Sequence, residues 1–157
     1  MKAKNKLLTL LILSAGAAVT TAGINKAIQF SSISKNFLAE PEPLCFKWRL
    51  GNVYYTKEGT GKPLLLIHDL DTCTSGYEWK QLIPFLSSKY TVYTIDLLGF
   101  GRSEKANMTY TNFLYVQLIS DFIKSEIGHR TSIITSGEAA SIPLMACANN
   151  PDLFDQI

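Results

Sequence analysis

Cysteine is scarce and scattered in this chain: Cys45, Cys73 and Cys147 are an odd set with no two close together. Neither a disulfide framework nor a zinc site of CxxC type is implied, so buried or incidental thiols are the expectation. Histidine is scarcer still. His68 and His129 stand far apart with no HExxH or comparable ligand spacing, and no metal is expected. Blocks of like charge are missing too. The formal charge is +2, but residues 1–30 hold four lysines (Lys2, Lys4, Lys6, Lys26) and no acid, which leaves 11 basic against 13 acidic residues, or −2, for the rest. A nucleic-acid surface is excluded on that balance.

What the sequence does have is apolar residues. At 157 residues, 46% hydrophobic and 18% charged, it suits one globular domain at most. Three lysines precede an uncharged run over residues 7–24, close to the length of a membrane span. Residues 1–24 are therefore expected to form a retained signal anchor or transmembrane helix. Secretion after cleavage near Thr20-Thr21-Ala22 is the alternative. The leading lysines favour a cytoplasmic N-terminus and an extracytoplasmic domain. Residues 25–43, polar and with prolines at 41 and 43, read as a linker, and residues 44–157 as the folded part.

That part opens on two strand-like runs, Cys45 to Leu50 and Val53 to Lys57, joined by Gly51-Asn52 as a tight turn. Leu64 to Ile67 lacks alternation, as a strand buried on both faces should. Ser75 to Glu78 matches a capping box before Trp79, Leu82, Ile83 and Leu86 at helical spacing. Thr91 to Ile95 is a second central strand. A helix from about Thr111 to Ile127 carries Phe113, Val116, Ile119, Ile123 and Ile127 on one stripe, with Gly128 as its stop. Ser132 to Ser136 and Ala139 to Ala148 read as a third strand and a helix stopped by Asn149-Asn150-Pro151. The fold class is α/β: a mostly parallel sheet with an N-terminal hairpin and helices on both faces. Ligands in such sheets sit at the carboxyl ends of the strands, here after Ile67, Ile95 and Ser136.

Rival motifs fail in these loops. Gly99-Phe-Gly101 has Glu104 where a dinucleotide fingerprint needs a third glycine, and Gly59-Thr-Gly61-Lys62 has Thr56 where a P-loop needs its first; no cofactor is expected. Gly59-x-Gly61-x-Pro63 leading to His68, followed by Asp96-Leu-Leu-Gly99-Phe-Gly101-Arg-Ser103, resembles the α/β-hydrolase superfamily in its lipase/esterase/haloperoxidase-like branch, over about residues 46–157. The resemblance implies a nucleophile elbow, Gly-x-Ser-x-Gly, on a strained strand-to-helix turn, with backbone N–H groups stabilising an oxyanion.

The matching residues are Gly137-Glu138-Ala139-Ala140-Ser141, which put Ala139 at the serine position; shifting the register by two puts Gly137 there instead. A methyl group cannot attack an ester. Ser136 and Ser141 are the possible substitutes, Ser141 the one carried forward, although serines at a helix start are more often caps. The implied oxyanion loop is His68, Asp69 and Leu70, with Ala140 opposite; Asp69 replaces the family's glycine, and His68 is structural rather than the base. His129 is expected to cap a helix C-terminus. The family's acid and histidine follow the nucleophile, so this chain is expected to be a truncated hydrolase domain that stops before the next strand. The strand Ser132 to Ser136 would then have one open edge, giving an unstable chain or self-association.

The expected function is a membrane-associated, catalytically degenerate α/β-hydrolase-like protein. One alternative is an ester or lipid hydrolase completed by further sequence. Another is a binding module for a small apolar or ester ligand near Leu70, Phe100 and Ala139.

Overall fold

In the computed structural model, residues 16, 19–28, 30–31 and 42–157 are described, and the chain divides into two compact units, Met1–Glu40 and Pro41–Ile157. The described residues of the first unit are helical, including 25–28, where a linker was expected. No helix among the described residues is long and apolar enough to cross a membrane; residues 7–15, 17 and 18 of the expected span lie outside them.

The second unit is built on five strands: β1 (Leu44–Trp48), β2 (Gly51–Glu58), β3 (Lys62–Ile67), β4 (Tyr90–Ile95) and β5 (Ser132–Thr135), in the order β1-β2-β4-β3-β5. β1 pairs with β2 and β2 with β4 antiparallel, whereas β4 with β3 and β3 with β5 pair parallel. The hairpin turn is Arg49-Leu50, because Trp48 pairs with Gly51; Gly51-Asn52, expected as the turn, opens β2 instead. Glycine is needed at 51 for another reason. A Cβ there would stand 2.9 Å from Leu98 Cδ1, at φ 152°.

β3 is covered on both faces, as its unbroken apolar run requires. Leu65 and Ile67 join Tyr93 and Ile95 in the main core, while Leu64 and Leu66 pack with Trp79 and Val92 on the other side. The capping box is not formed: Ser75 is a simple N-cap, its side chain accepting from Tyr77 N at 3.3 Å, and the Glu78 carboxylate turns elsewhere. A single 3-10 turn, Gly76–Trp79, follows, and α1 (Ile83–Leu86) begins separately. This break rotates Leu82 out to solvent, against the expected stripe.

α2 (Asn112–Phe122), capped by Thr111, continues into a π turn, Ile123–Ile127, that Gly128 ends at φ 73°. Its buried side includes Leu114, Tyr115, Leu118, Ile119 and Phe122, a broader face than one stripe, and Phe113 at its start is exposed. A 3-10 turn, Gly137–Ala140, leads into α3 (Ser141–Asn149).

The open edge expected on β5 is partly closed. Thr131 N donates to Leu153 O at 3.0 Å, Asp155 N to Thr131 O at 3.1 Å and Ile133 N to Gln156 O at 2.8 Å, which lays residues 153–156 along the start of β5. Buried Phe154 and the Arg130–Asp155 ion pair at 3.0 Å hold the segment there. Phe154→Ala should cost about 3 kcal/mol and release this edge. Concentration-dependent association in sedimentation velocity would then appear in the variant and not in the parent.

Candidate functional site

Three loops meet at the carboxyl ends of β3, β4 and β5. His68, fully buried, ends the first. Leu97 N, which can only donate, points at Nε2 at 3.0 Å, so Nε2 accepts and the ring proton sits on Nδ1, 2.6 Å from Asp69 O. Both ring nitrogens are therefore committed to the backbone, and burial pushes the imidazole pKa down. A histidine kept neutral in the fold favours the folded state fully above its unfolded value of about 6.5. That contribution fades as pH falls from there toward the lowered native value, because the unfolded chain then binds the proton more readily. Accordingly, His68→Gln should cost about 2 kcal/mol at pH 7.5 and flatten the loss of stability between pH 7.5 and 5.5. Urea midpoints at the two pH values check both.

The loop after β4 is wound around Asp96. Its carboxylate accepts from Gly76 N at 2.7 Å and Arg102 N at 2.9 Å, and its carbonyl accepts from Ser103 Oγ, which accepts in turn from Tyr54 N at 2.8 Å. Gly101, at φ 47°, has no room for a Cβ, which would lie 2.3 Å from Asp96 Oδ2. The Asp-x-x-Gly-x-Gly-x-Ser motif thus ties β2, β4 and the loop after β3 into one frame. Phe100 lies over His68, ring centres 5.1 Å apart.

The strand-to-helix bend after β5 falls on Gly137. Ser136 is still extended and donates its N–H to Ile67 O at 3.3 Å; Gly137 has φ 55°, and the helical turn starts there. Of the two motif registers, the structure takes the one with Gly137 at the tip. Ala139, expected at the tip, lies inside the first helical turn, fully buried against the core, where a small residue lets the helix close on the sheet. Ala139 itself therefore has no surface to offer the apolar site expected beside it. Leu70 and Phe100 are half-buried against the same core.

Asp69 faces the bend. Its Oδ1 accepts from Leu70 N at 2.7 Å and from Glu138 N at 2.8 Å. The amide that converges with Leu70 is therefore that of Glu138, the residue after the tip, and not that of Ala140. A Cβ on Gly137 would lie 2.1 Å from Asp69 Oδ2. Hence the aspartate occupies the space into which a side chain at the tip would project, and holds both amides as well.

Ser136 Oγ donates to Glu78 Oε1, and Glu78 Oε2 accepts from Asp69 N at a long 3.5 Å. Sequence reasoning used Glu78 as a helix cap and missed it here; nothing local marks it, since Gly76–Trp79 is brought to the bend only by the sheet. Ser141 Oγ is turned inward, donating to Glu138 O at 3.0 Å. His129, expected to cap a helix, follows the Gly128 stop at the far end of β5 from the bend, where its carbonyl accepts from Thr131 Oγ1 at 2.9 Å. Among the described residues, no group of three or more His, Cys, Asp or Glu is placed to hold a metal ion.

No family model matches the chain. It is 36% identical over 72 residues to a 2-hydroxy-6-oxo-6-(2'-aminophenyl)hexa-2,4-dienoic acid hydrolase of Metapseudomonas resinovorans, covering 45% of this chain and 25% of that one. It is 28% identical over 106 residues to a soluble epoxide hydrolase of Corynebacterium sp. (strain C12), covering 67% of this chain and 36% of that one. A crystal structure of an alpha/beta hydrolase fold protein from Burkholderia ambifaria superimposes with a TM-score of 0.65 at 20% identity, over 71% of this chain and 40% of the other. The chain thus spans only a quarter to about two fifths of the length of these proteins.

Proposed function

The chain is an α/β-hydrolase-fold protein, and we propose that it is inactive in the acyl transfer that the elbow of this fold supports. One observation carries this reading: the tip of the bend is Gly137, which has no side chain, and the two amides beside it are filled by Asp69. A nucleophile and a vacant oxyanion site are the two things acyl transfer needs there. Neither histidine can serve as base. The His68 ring is held by the backbone on both nitrogens, and His129 lies at the other end of β5.

The reading is tested with para-nitrophenyl acetate. The full chain should hydrolyse it no faster than the heat-denatured chain, and saturable turnover would overturn the proposal. A second reading, an ester hydrolase with an unusual serine, is favoured by the bond from Ser136 Oγ to Glu78 beside the amide pair. Turnover lost in Ser136→Ala would support that serine, and turnover lost in Ser141→Ala the other.

Attachment to a membrane through residues 7–24, with the domain on the outer face, is part of the proposal. It is supported by the uncharged run and the three lysines before it.

A further inference from the structure

Two backbone N–H groups from different loops, those of Leu70 after β3 and Glu138 after the bend, point at the same oxygen, Asp69 Oδ1, at 2.7 and 2.8 Å. Convergence of two amides on one oxygen is how proteins hold a carboxylate or an oxyanion. The second oxygen, Oδ2, sits over Gly137, where only the absence of a Cβ leaves room for it. The Glu78 carboxylate borders the same place, so a free anion arriving there meets charge of its own sign. A carboxylate tethered one residue from the first amide does not have to lose translational freedom to bind, and so outcompetes free ones.

We propose that the Leu70/Glu138 amide pair is a carboxylate-binding site whose resident ligand is the chain's own Asp69, an internal occupant that keeps the site closed to external carboxylates. The ligand class is a small monocarboxylate, which takes the same two N–H groups once the aspartate side chain is gone. The inference concerns binding and rests on the geometry of the bend, not on the absence of catalysis. Ester turnover would sink the inactive reading and leave this one to its own test.

That test is chemical rescue of the full chain carrying Asp69→Ala. The variant should melt about 5–10 °C below the parent. Acetate or formate should restore about half of the loss or more, saturably, whereas acetamide and chloride at equal ionic strength should not, and the parent should respond to none of them. An equal response to acetate in parent and variant, or no response in the variant, overturns the proposal. Should Asp69→Ala not fold, the parent decides by NMR: couplings through the hydrogen bonds should link the amide nitrogens of Leu70 and Glu138 to the Asp69 carboxyl carbon, and their absence overturns it equally.

Discussion

Gly137→Ala should destabilise the protein by about 4 kcal/mol. Two costs add. A backbone at φ 55° is left-handed, which costs an L-residue about 1–2 kcal/mol. The new Cβ also falls 2.1 Å from Asp69 Oδ2, so the carboxylate must leave and both amides lose a charged acceptor, at about 1–1.5 kcal/mol each. The second cost disappears if Asp69 is already glycine. In the Asp69→Gly background the same substitution should therefore cost about 1–2 kcal/mol, and the double-mutant cycle should show a coupling of about 2 kcal/mol. Urea denaturation of the four proteins measures it. Additivity within about 0.5 kcal/mol would mean that Asp69 and the bend do not share this space.

The loop after β4 should be nearly as sensitive. Asp96→Ala removes the acceptor for Gly76 N and Arg102 N at once, and neither amide has a place in a strand ladder. A loss of about 3–4 kcal/mol follows from two charge-assisted bonds. It should be accompanied by faster hydrogen exchange at both amides and at Tyr54, whose N–H is tied to the same loop through Ser103. Asp96→Asn keeps one acceptor oxygen and should recover part of the loss. A loss under about 1 kcal/mol for the alanine variant would show that the loop holds its shape without the carboxylate.

Those two positions also show what can and cannot be read from such a chain. The central strand Leu64 to Ile67 was legible because it is apolar without alternation, and only burial on two faces accounts for that; Thr91 to Ile95 was legible as a second central strand. The stop at Gly128 was legible as well, a glycine after the last apolar residue of the helix. The hairpin turn was not: Gly51-Asn52 has the right chemistry for a two-residue loop, but pairing of Trp48 with Gly51 moves the loop to Arg49-Leu50, and the glycine answers to Leu98 instead. Residues 153–156 escaped notice because their partner is an edge of β5 rather than any periodicity of their own.

In the candidate site the sequence allowed two registers, with Ala139 or Gly137 at the tip. Choosing between them needed a dihedral angle and a burial that no local pattern carries. Asp69 could be recognised as an acid in a place where the related fold has glycine. Its two amide partners, one of them in the bend after β5, could not.

The central claim is that this bend offers no nucleophile to an electrophile. Intact-mass spectrometry of the full chain after exposure to a fluorophosphonate tests it most directly. An unchanged mass is the predicted result; one stoichiometric adduct, formed by the native chain and lost on prior heat denaturation, would contradict it.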